Sequence, residues 1–449
     1  MLQEILGRYA VSIDFDSLPD DARHHARRVV LDWFAATIPG GVLMPATGVA
    51  QALVEEVGHG DARLIPSGRD ASMRSAALIN GTAAHTIEFD DIFRDGIYHP
   101  GAPTIAAALA AAQVSGADGR RFIAGVVAGF EVGNRIARAM GTPHYAMWHM
   151  TATCGCMGAA AAVANILGLT ALQASHAIGN ATTMAGGLQQ AFRSDAMTKP
   201  LHGGLAAQSG CTAALIAKTG VTAAAHMLEG DVGFGAAAGK DVDWDSVTAD
   251  LEDHFTITEM TQKNHACCGH NFAAVDAVIA LRNDNGLKAS DVKTIHCGVY
   301  GKAVEIVGNP NPKTSYEAKF SLPYCAAAGL RDGRVRMRAF ELDILHDAEI
   351  RDIMTRVHVV KDDWADEGFP GRRSAIVHIE TVDGITLTHK AMCRKGDPEN
   401  PLTDDELNEK YRELVTPVVG NAVAENLLGI LWCIDAVSDL TSLPLGQRV

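Results

Sequence analysis

The sequence has few aromatic residues, no long uninterrupted hydrophobic run and fewer basic than acidic side chains. Phe, Trp and Tyr make up only 6% of its 449 residues, whereas alanine and glycine are abundant. Small side chains suit helices that pack closely together, so this composition favours a helical core. A chain of this length is longer than most domains with a single hydrophobic core. We therefore predict two domains.

The formal net charge of −15 argues against a nucleic-acid partner, because proteins that bind nucleic acids present basic surfaces. It leaves an anionic small substrate open, because a pocket can be locally basic. Residues 1–6 lack the start of a signal peptide, and the apolar stretch 154–169 is too short for a membrane span. Because the sequence shows no signal-peptide pattern, we interpret its nine cysteines as reduced thiols and expect a cytoplasmic protein. We also expect no membrane partner.

The hydrophobic pattern changes once along the chain. Residues 20–230 show helical periodicity, with segments bounded by glycine, proline or polar caps. Alternating strand patterns appear from residue 292 to residue 388, with the turn pair Asp383-Gly384 predicting a hairpin. We predict a mainly α, α+β fold, with a large all-helical domain (1–266 and 403–449) and an inserted α+β lid domain (267–402).

The most informative segment spans residues 80–91 and is followed by His99-Pro100. Its carboxylates and imidazoles lie between apolar stretches at residues 77–79 and 106–110. Burying charge is costly, so such a cluster marks a site more often than a surface. We therefore take His99 as a candidate acid or base.

The carboxylates of this segment allow two interpretations. Glu88 and Asp91 are candidates to contact substrate, and together with Asp90 they are candidates to orient an imidazole. The loop that follows supplies Arg94, a cation suited to a substrate carboxylate.

Two further segments place titratable side chains at predicted helix starts. Tyr145 and His149 precede a glycine-rich helix, and Lys199 and His202 precede Gly203-Gly204. A helix N-terminus offers free N–H groups to an anion, and a lysine adds a positive charge. The alternatives are a capped loop with packed aromatic rings for the first segment and an exposed turn lysine for the second.

The segment from Lys263 to His270 contains His265 and the adjacent Cys267 and Cys268. Thiols and imidazoles this close suggest a metal site. The spacing is not Cys-x-x-Cys, however, and no second half-site is evident, so we predict no metal here. Farther on, Tyr324 follows Pro323 at a helix start, where a buried core position is the alternative to a functional role.

These segments together resemble the signature of the MmgE/PrpD family, usually Asn-Gly-x-x-x-His-x-x-Asp-Phe-Asp-Asp-Thr, a short loop and His-Pro. His149 matches the family's His-x-Thr-x-x-x-Gly, and Lys199 matches its Lys-x-x-His-x-Gly. Residues 318–324 match Ala-Lys-Phe-Ser-x-Pro-Tyr. The likeness extends over residues 20–435, but Glu88 replaces the usual Asp and Ile92 the usual Thr.

The resemblance implies acid–base chemistry at a carbon next to a carboxylate, without a cofactor or metal. Members of the family include 2-methylcitrate dehydratase, cis-aconitate decarboxylase and iminodisuccinate epimerase. Overall likeness favours an epimerase acting on iminodisuccinate, with the dehydratase and decarboxylase reactions as alternatives. The resemblance also implies a small polycarboxylate as ligand and a homodimer.

Within that framework each candidate residue has an expected role. The catalytic candidates are His99, Tyr145, His149, Lys199, Lys263 and Tyr324. The substrate-binding candidates are Glu88, Asp91, Arg94, His202, His265 and His270. Two hypotheses from other classes remain, namely a metal-dependent hydrolase that uses the cysteine segment and a binding module without catalysis.

Overall fold

The computed structural model describes residues 1–194 and 196–446. It divides into two compact units, one formed by Met1–Gln262 together with the segment from Thr403, and one formed by Lys263–Leu402. The model is 58% helical with 10% strand, which confirms the predicted mainly α, α+β class. In the described part of the chain no helix combines the length and apolar character that a membrane crossing needs.

The helices, in chain order, are α1 (Leu2–Ser12), α2 (Asp20–Gly40), α3 (Ala46–Ala52), α4 (Met73–Thr86), α5 (Gly101–Ser115), α6 (Gly119–Tyr145), α7 (Met150–Ile166), α8 (Ala171–Thr183), α9 (Thr198–Lys218), α10 (Phe234–Ala238), α11 (Phe272–Asn285), α12 (Gly301–Val307), α13 (Ser315–Lys319), α14 (Leu322–Asp332), α15 (Leu342–Leu345), α16 (Ala348–Met354), α17 (Asp363–Gly368), α18 (Asp404–Val419) and α19 (Asn421–Trp432). The strands are β1 (Val57–Arg63), β2 (Asp70–Ala71), β3 (Ile92–Phe93), β4 (Met260–Thr261), β5 (Val292–Val299), β6 (Val357–Lys361), β7 (Ala375–Thr381) and β8 (Thr386–Ala391).

The first unit is a helical assembly whose central helices are rich in alanine and glycine. α4 and α7 each pack against α9, and α5 and α6 pack against α7. Most side chains of α5 and α7 are buried on every side of the helix, which explains why the sequence shows no polar face there. The C-terminal helix α18 returns to this unit and packs on α2.

Glycines allow α4 and α9 to approach at the level of their backbones. A methyl group at Gly204 would lie 2.2 Å from the carbonyl oxygen of Leu78, and one at Gly81 would lie 2.9 Å from the Cα of Gly204. Any larger residue at these positions would force the helices apart. The Asn-Gly and His-Gly-Gly sequences are thus explained by helix packing as well as by chemistry.

The second unit contains a four-stranded sheet in the order β6-β5-β7-β8. β5 and β6 are parallel, whereas β7 pairs antiparallel with β5 and with β8. Ile295, Cys297, Val377 and Ile379 are buried and alternate with more exposed residues. This period of two is the pattern expected of strands with one covered face, and α11 packs on β7 and β8.

Three helical segments of the sequence can be compared with the helices of the structure. The pattern over residues 314–330 predicts one helical segment, but Ser321 caps a new helix there by accepting a hydrogen bond from the backbone N–H of Tyr324. The pattern over residues 404–433 predicts helices, and the structure has two, α18 and α19, which are separated at Gly420, where φ is +78°. The helix predicted to begin at Gly203 begins at Thr198, which places Lys199 inside its first turn.

Candidate active site

His85 and Asp90 form the centre of the site. His85 lies in the last turn of α4, and the chain then turns through Glu88, whose φ of +61° is unusual for a residue with a side chain. This turn brings Oδ2 of Asp90 to 2.7 Å from Nδ1 of His85, with both side chains almost completely buried. The carboxylate therefore fixes the orientation of the imidazole, and Nε2 of His85 has no partner among the described residues.

His99 adds a second imidazole to the same carboxylate. Its Nδ1 lies 3.4 Å from Oδ2 of Asp90 and 2.7 Å from the carbonyl oxygen of Asp91. The rings of His85 and His99 have centroids 4.8 Å apart. One buried carboxylate therefore holds two neighbouring imidazoles, an arrangement that orients acid–base groups.

His149 and His202 extend this cluster. His149 precedes the first residue of α7, and its Nδ1 lies 2.9 Å from Nδ1 of His202 on α9. The His149 ring stacks on that of His85 with centroids 5.5 Å apart. The four imidazoles of His99, His85, His149 and His202 thus form a continuous series of ring contacts, which we call the imidazole array.

Three helices present their N-terminal ends to the imidazole array. His99 lies two residues before α5, His149 lies directly before α7, and His202 lies in the first turns of α9. The N-terminal end of a helix carries partial positive charge and unpaired N–H groups. These ends therefore make the site favourable for the carboxylates of an anionic substrate, although the whole chain is acidic.

Lys199 lies beside the array and pairs with Glu88. Its Nζ donates to Oε1 of Glu88, and both side chains are buried. The ammonium also lies 5.3 Å from the centroid of the Phe192 ring, which packs edge-on against His149. Lys199 is therefore a buried cation held in a defined position, as a carboxylate-binding residue requires.

Asp91 has a different role from Asp90. Its Oδ1 accepts a hydrogen bond from the backbone N–H of Gly101, the first residue of α5. A methyl group at Gly101 would lie 2.7 Å from that oxygen, so glycine is required for the contact. Burial, together with the charges of Asp90 and Asp32, raises the pKa of Asp91 well above its usual range. Asp91 therefore holds a proton more readily than an exposed aspartate does.

The protonation of the array follows from burial and neighbouring charge. Burial opposes ionisation of Asp90, but the imidazoles of His85 and His99 hold its pKa well below the usual value. Burial lowers the pKa of His149 well below its usual value, and the neighbouring His85 and His202 act in the same direction. Burial also lowers the pKa of His202 to about 4. At neutral pH the site therefore contains an anionic Asp90 beside a neutral His149 and His202.

One group of side chains in the described ranges approaches the geometry of a metal site. Ligand atoms of His85, Asp90 and His99 all lie within 4.8 Å of one another. The same Nδ1 atoms are engaged in the contacts with Asp90, so hydrogen bonding accounts for their positions. The cysteine segment that suggested a metal from sequence contributes nothing to this group.

Two other predicted residues of the first unit lie farther along its loops. Tyr145 is half-buried and follows Gly141, which has non-helical angles (φ 60°, ψ −167°) and separates the last turn of α6 from the rest. Arg94 is half-buried, with Nε 3.5 Å from Oδ1 of Asp95. Functional roles for both remain predictions.

The remaining predicted residues belong to the second unit. Lys263 is buried at its start, and Nε2 of His265 lies 2.8 Å from Oδ1 of Asp276. Nδ1 of His270 lies 2.6 Å from the hydroxyl of Tyr300, a residue that the sequence analysis did not select. The Tyr324 hydroxyl donates to the carbonyl oxygen of Ala339. Each of these side chains has a defined position in its own unit, and their catalytic or binding roles remain predictions.

Comparison with known families identifies both parts of the chain. Residues 4–246 match the MmgE/PrpD N-terminal domain, and residues 265–436 match the MmgE/PrpD C-terminal domain. The chain belongs to the MmgE/PrpD family. The resemblance that the motifs indicated is therefore confirmed at the level of the family.

Three similar proteins are all described by name as cis-aconitate decarboxylases or as like one. A cis-aconitate decarboxylase-like protein of Aspergillus oryzae, oryM, is 26% identical over 95% of this chain and 93% of its own length. Cis-aconitate decarboxylase of Aspergillus terreus is 25% identical over 97% of this chain and 93% of its own length. The human cis-aconitate decarboxylase is 24% identical over 99% of this chain and 94% of its own length.

These relatives support the alternative lyase interpretation better than the epimerase that the sequence analysis favoured. The departures from the usual family signature also have structural consequences. Glu88, in place of the usual Asp, forms the ion pair with Lys199. Ile92, in place of the usual Thr, begins β3 and pairs with Thr261. The first change lengthens the carboxylate side chain that pairs with Lys199, whereas the second places an apolar residue in a short sheet.

Sequence reasoning did not select two residues that the structure places in the site. His85 occurs in the motif segment, five residues before Asp90, and the histidine of the Asn-Gly-x-x-x-His signature was the available signal. Phe192 contacts both His149 and Lys199 but lies outside every motif. No pattern in the sequence distinguishes this phenylalanine from one in the core.

Proposed function

We propose that this MmgE/PrpD protein is a cofactor-independent lyase that decarboxylates a small tricarboxylate of the cis-aconitate type. The observation that carries the proposal is the imidazole array, fixed by the buried Asp90 and adjoined by the buried Lys199. The names of relatives that match almost the full length of the chain support decarboxylation among the family's reactions.

Decarboxylation leaves an electron pair on the substrate, and a proton must then be delivered to the substrate carbon. When the C–C bond to the departing carboxylate breaks, its electron pair remains on the carbon skeleton and is conjugated with another carboxylate. A proton then adds to carbon, so that a tricarboxylate and one proton give a dicarboxylate and CO₂. An imidazole oriented by a carboxylate is suited to supply that proton near neutral pH.

Binding and catalysis are assigned to different groups. Lys199 and the N-terminal ends of α5, α7 and α9 hold the carboxylates that stay with the product. They also stabilise the negative charge that builds up on the conjugated carboxylate. His85 and His99, aligned by Asp90, are the candidates for proton transfer, and Asp91, whose pKa burial raises, is a further candidate.

Epimerisation of an imino-linked polycarboxylate is the second candidate. Inverting a carbon requires one group that removes a proton and another that returns it on the opposite face. The imidazole array offers two distinct pairs, His85 with His99 and His149 with His202. This division of the array is the observation that favours the second candidate.

Proton NMR in D₂O separates these functions in one experiment. The full-length protein is incubated with cis-aconitate, 2-methylcitrate and iminodisuccinate in parallel, and Asp90→Asn serves as the matched control with strongly reduced turnover. Itaconate formed from cis-aconitate with one deuterium incorporated supports the proposal. Deuterium at the α-carbon of iminodisuccinate without a new product establishes the epimerase, and a new alkene from 2-methylcitrate establishes the dehydratase. No change with cis-aconitate overturns decarboxylation of that substrate.

A further inference from the structure

Lys410 is a completely buried lysine that contacts the turn Glu88–Asp90, which we call the active-site turn. It belongs to α18, in the segment that returns to the first unit after residue 402. Its Nζ donates to Oδ1 of Asp32 at 2.6 Å and to the carbonyl oxygen of Phe89 at 2.8 Å. The ammonium also lies 4.3 Å from the centroid of the Phe89 ring. One side chain thus joins α18, α2 and the turn that follows α4.

The Lys410–Asp32 pair is costly if its only purpose is to hold α18 against α2. Neither side chain has exposed surface, and removing two charges from water carries a large desolvation penalty. A pair of apolar side chains in the same place is often equally stable or more stable. An apolar side chain cannot, however, donate a hydrogen bond to the carbonyl oxygen of Phe89.

The carbonyl group of Phe89 lies between the two side-chain carboxyl groups of the turn in sequence. Glu88, which pairs with Lys199, precedes Phe89, and Asp90, which orients His85 and His99, follows it. Glu88 has a positive φ, a conformation that a residue with a side chain adopts only when its surroundings impose it. The bond from Lys410 to the next residue is one of the contacts that impose it.

Lys410 is also a positive charge beside a group of buried carboxylates. Burial raises the pKa of Asp32, and the cation of Lys410 opposes that rise. Asp32 and Asp90 each raise the pKa of Asp91, which Lys410 lowers. The charge of Lys410 therefore helps to determine how protons are distributed among the carboxyl groups behind the imidazole array.

We propose that Lys410 is a positioning residue, which holds the turn Glu88–Asp90 in place through Phe89 and balances the charge of the carboxylates behind the imidazole array. It acts through Asp90 and the array and has no assigned contact with substrate. The proposal rests on the proposed function only for its kinetic test. The charged and titratable groups around His85 and Asp90 that the test must consider are Asp32, Asp91, His99, His149, Lys199, His202 and Lys410.

The kinetic test compares Lys410→Met, Asp32→Asn and the double variant Asp32→Asn/Lys410→Met. The double variant avoids an unpaired buried charge and so remains folded even where Lys410→Met alone does not. Because the turn loses its hydrogen bond, we expect kcat of the folded double variant to fall roughly ten- to a hundredfold. KM should stay within about threefold of wild type, because the residues that bind substrate are unchanged. A wild-type kcat in the folded double variant would overturn the positioning role.

The pH test gives opposite expectations for the two single variants. Removing the cation of Lys410 favours protonated imidazoles. Because an imidazolium is the proposed proton donor, activity is lost where it deprotonates, so the alkaline limb of kcat should move to higher pH in Lys410→Met. Removing the anion of Asp32 disfavours them, so the limb should move to lower pH in Asp32→Asn. A purely structural ion pair predicts no shift in either variant, and unshifted limbs in both would contradict the charge-balancing role.

The ring C–H resonances of His85 and His99, followed by NMR titration, provide a readout that needs no turnover. The signals are assigned from their loss in His85→Gln and His99→Gln. If wild type turns over none of the tested substrates, the proposed function fails. Opposite displacements of these titrations in Asp32→Asn and Lys410→Met would still support the role of Lys410. Identical titrations in wild type and both variants would refute it.

Glu131→Gln is the matched control. Glu131 is a buried carboxylate paired with Arg135 on α6, away from the active-site turn. Its replacement should lower stability and leave the pH limbs of the folded protein and the titrations of His85 and His99 unchanged. A shift of the same size in this control would show that any lost buried pair disturbs the array, and would refute a specific role for Lys410.

Discussion

Nδ1 of His85 lies 2.7 Å from Oδ2 of Asp90, and neither side chain is accessible to solvent beyond 1%. The bond joins the last turn of a helix to the turn that follows it, so it aligns the imidazole with little freedom to rotate. The same carboxylate approaches His99, which makes Asp90 the common anchor of two potential proton carriers. The first prediction tests that anchor.

Replacing Asp90 by Asn should lower kcat by roughly 10²- to 10⁴-fold, because a neutral amide cannot stabilise the imidazolium or hold both imidazoles in one tautomer. The measurement is the initial rate of product formation by NMR, with near-UV circular dichroism to verify folding. Asp95→Asn is the control, since Asp95 is an exposed carboxylate on the same loop. Similar rates for the two folded variants would remove Asp90 from the mechanism.

Replacing Lys199 by Met should raise KM roughly ten- to a hundredfold, because the substrate carboxylate loses a charge-assisted hydrogen bond. Lys218→Met is the control, since Lys218 is exposed at the other end of the same helix. Steady-state kinetics on both variants decide the point. An unchanged KM for Lys199→Met would mean that the ammonium serves only its pair with Glu88.

Stability should fall in acid partly because of His202, whose pKa is lowered to about 4 by burial. The folded protein keeps His202 neutral, whereas the unfolded chain protonates it below its ordinary value of about 6.5. Stability from this group is therefore complete above pH about 6.5 and is lost toward pH about 4, with a slope of up to about 1.4 kcal/mol per pH unit.

Urea unfolding of His202→Gln should accordingly show a shallower loss of free energy than wild type over that pH window. His59→Gln, which alters an exposed histidine on β1, is the control and should keep the wild-type slope. Parallel curves for wild type and His202→Gln would show that His202 is protonated in the folded state as well.

Replacing Cys267 and Cys268 together by Ala should leave turnover within about twofold of wild type, because neither thiol takes part in the proposed proton transfer. Cys267 is fully buried, so a modest loss of stability is expected from the smaller side chain. Turnover and metal content are measured before and after treatment with a chelator. Loss of activity together with about one bound metal per wild-type chain would restore the metal hypothesis for this segment.

Local sequence patterns are sufficient to predict the fold class and to select candidate site residues. Alternation over residues 292–299 and 375–380, with Asp383-Gly384 between two such runs, corresponds to β5, β7 and their hairpin partner, because period and turn chemistry are local properties. The motif with His99 and Asp91 was recognisable because charge between apolar helices is rare. His149, Lys199 and His202 are candidates because they accompany predicted helix starts.

Which of these side chains meet depends on how the helices pack. His149 and His202 are 53 residues apart in sequence, and their contact depends on how α7 and α9 pack. Lys410 and Asp32 are 378 residues apart, and no local pattern distinguishes this lysine from one on a solvated helix face. The pKa values of Asp91 and His149 likewise follow from burial. Contacts between residues distant in sequence, and the exclusion of water from buried groups, arise only in the packed chain. Short-range sequence patterns therefore cannot predict them.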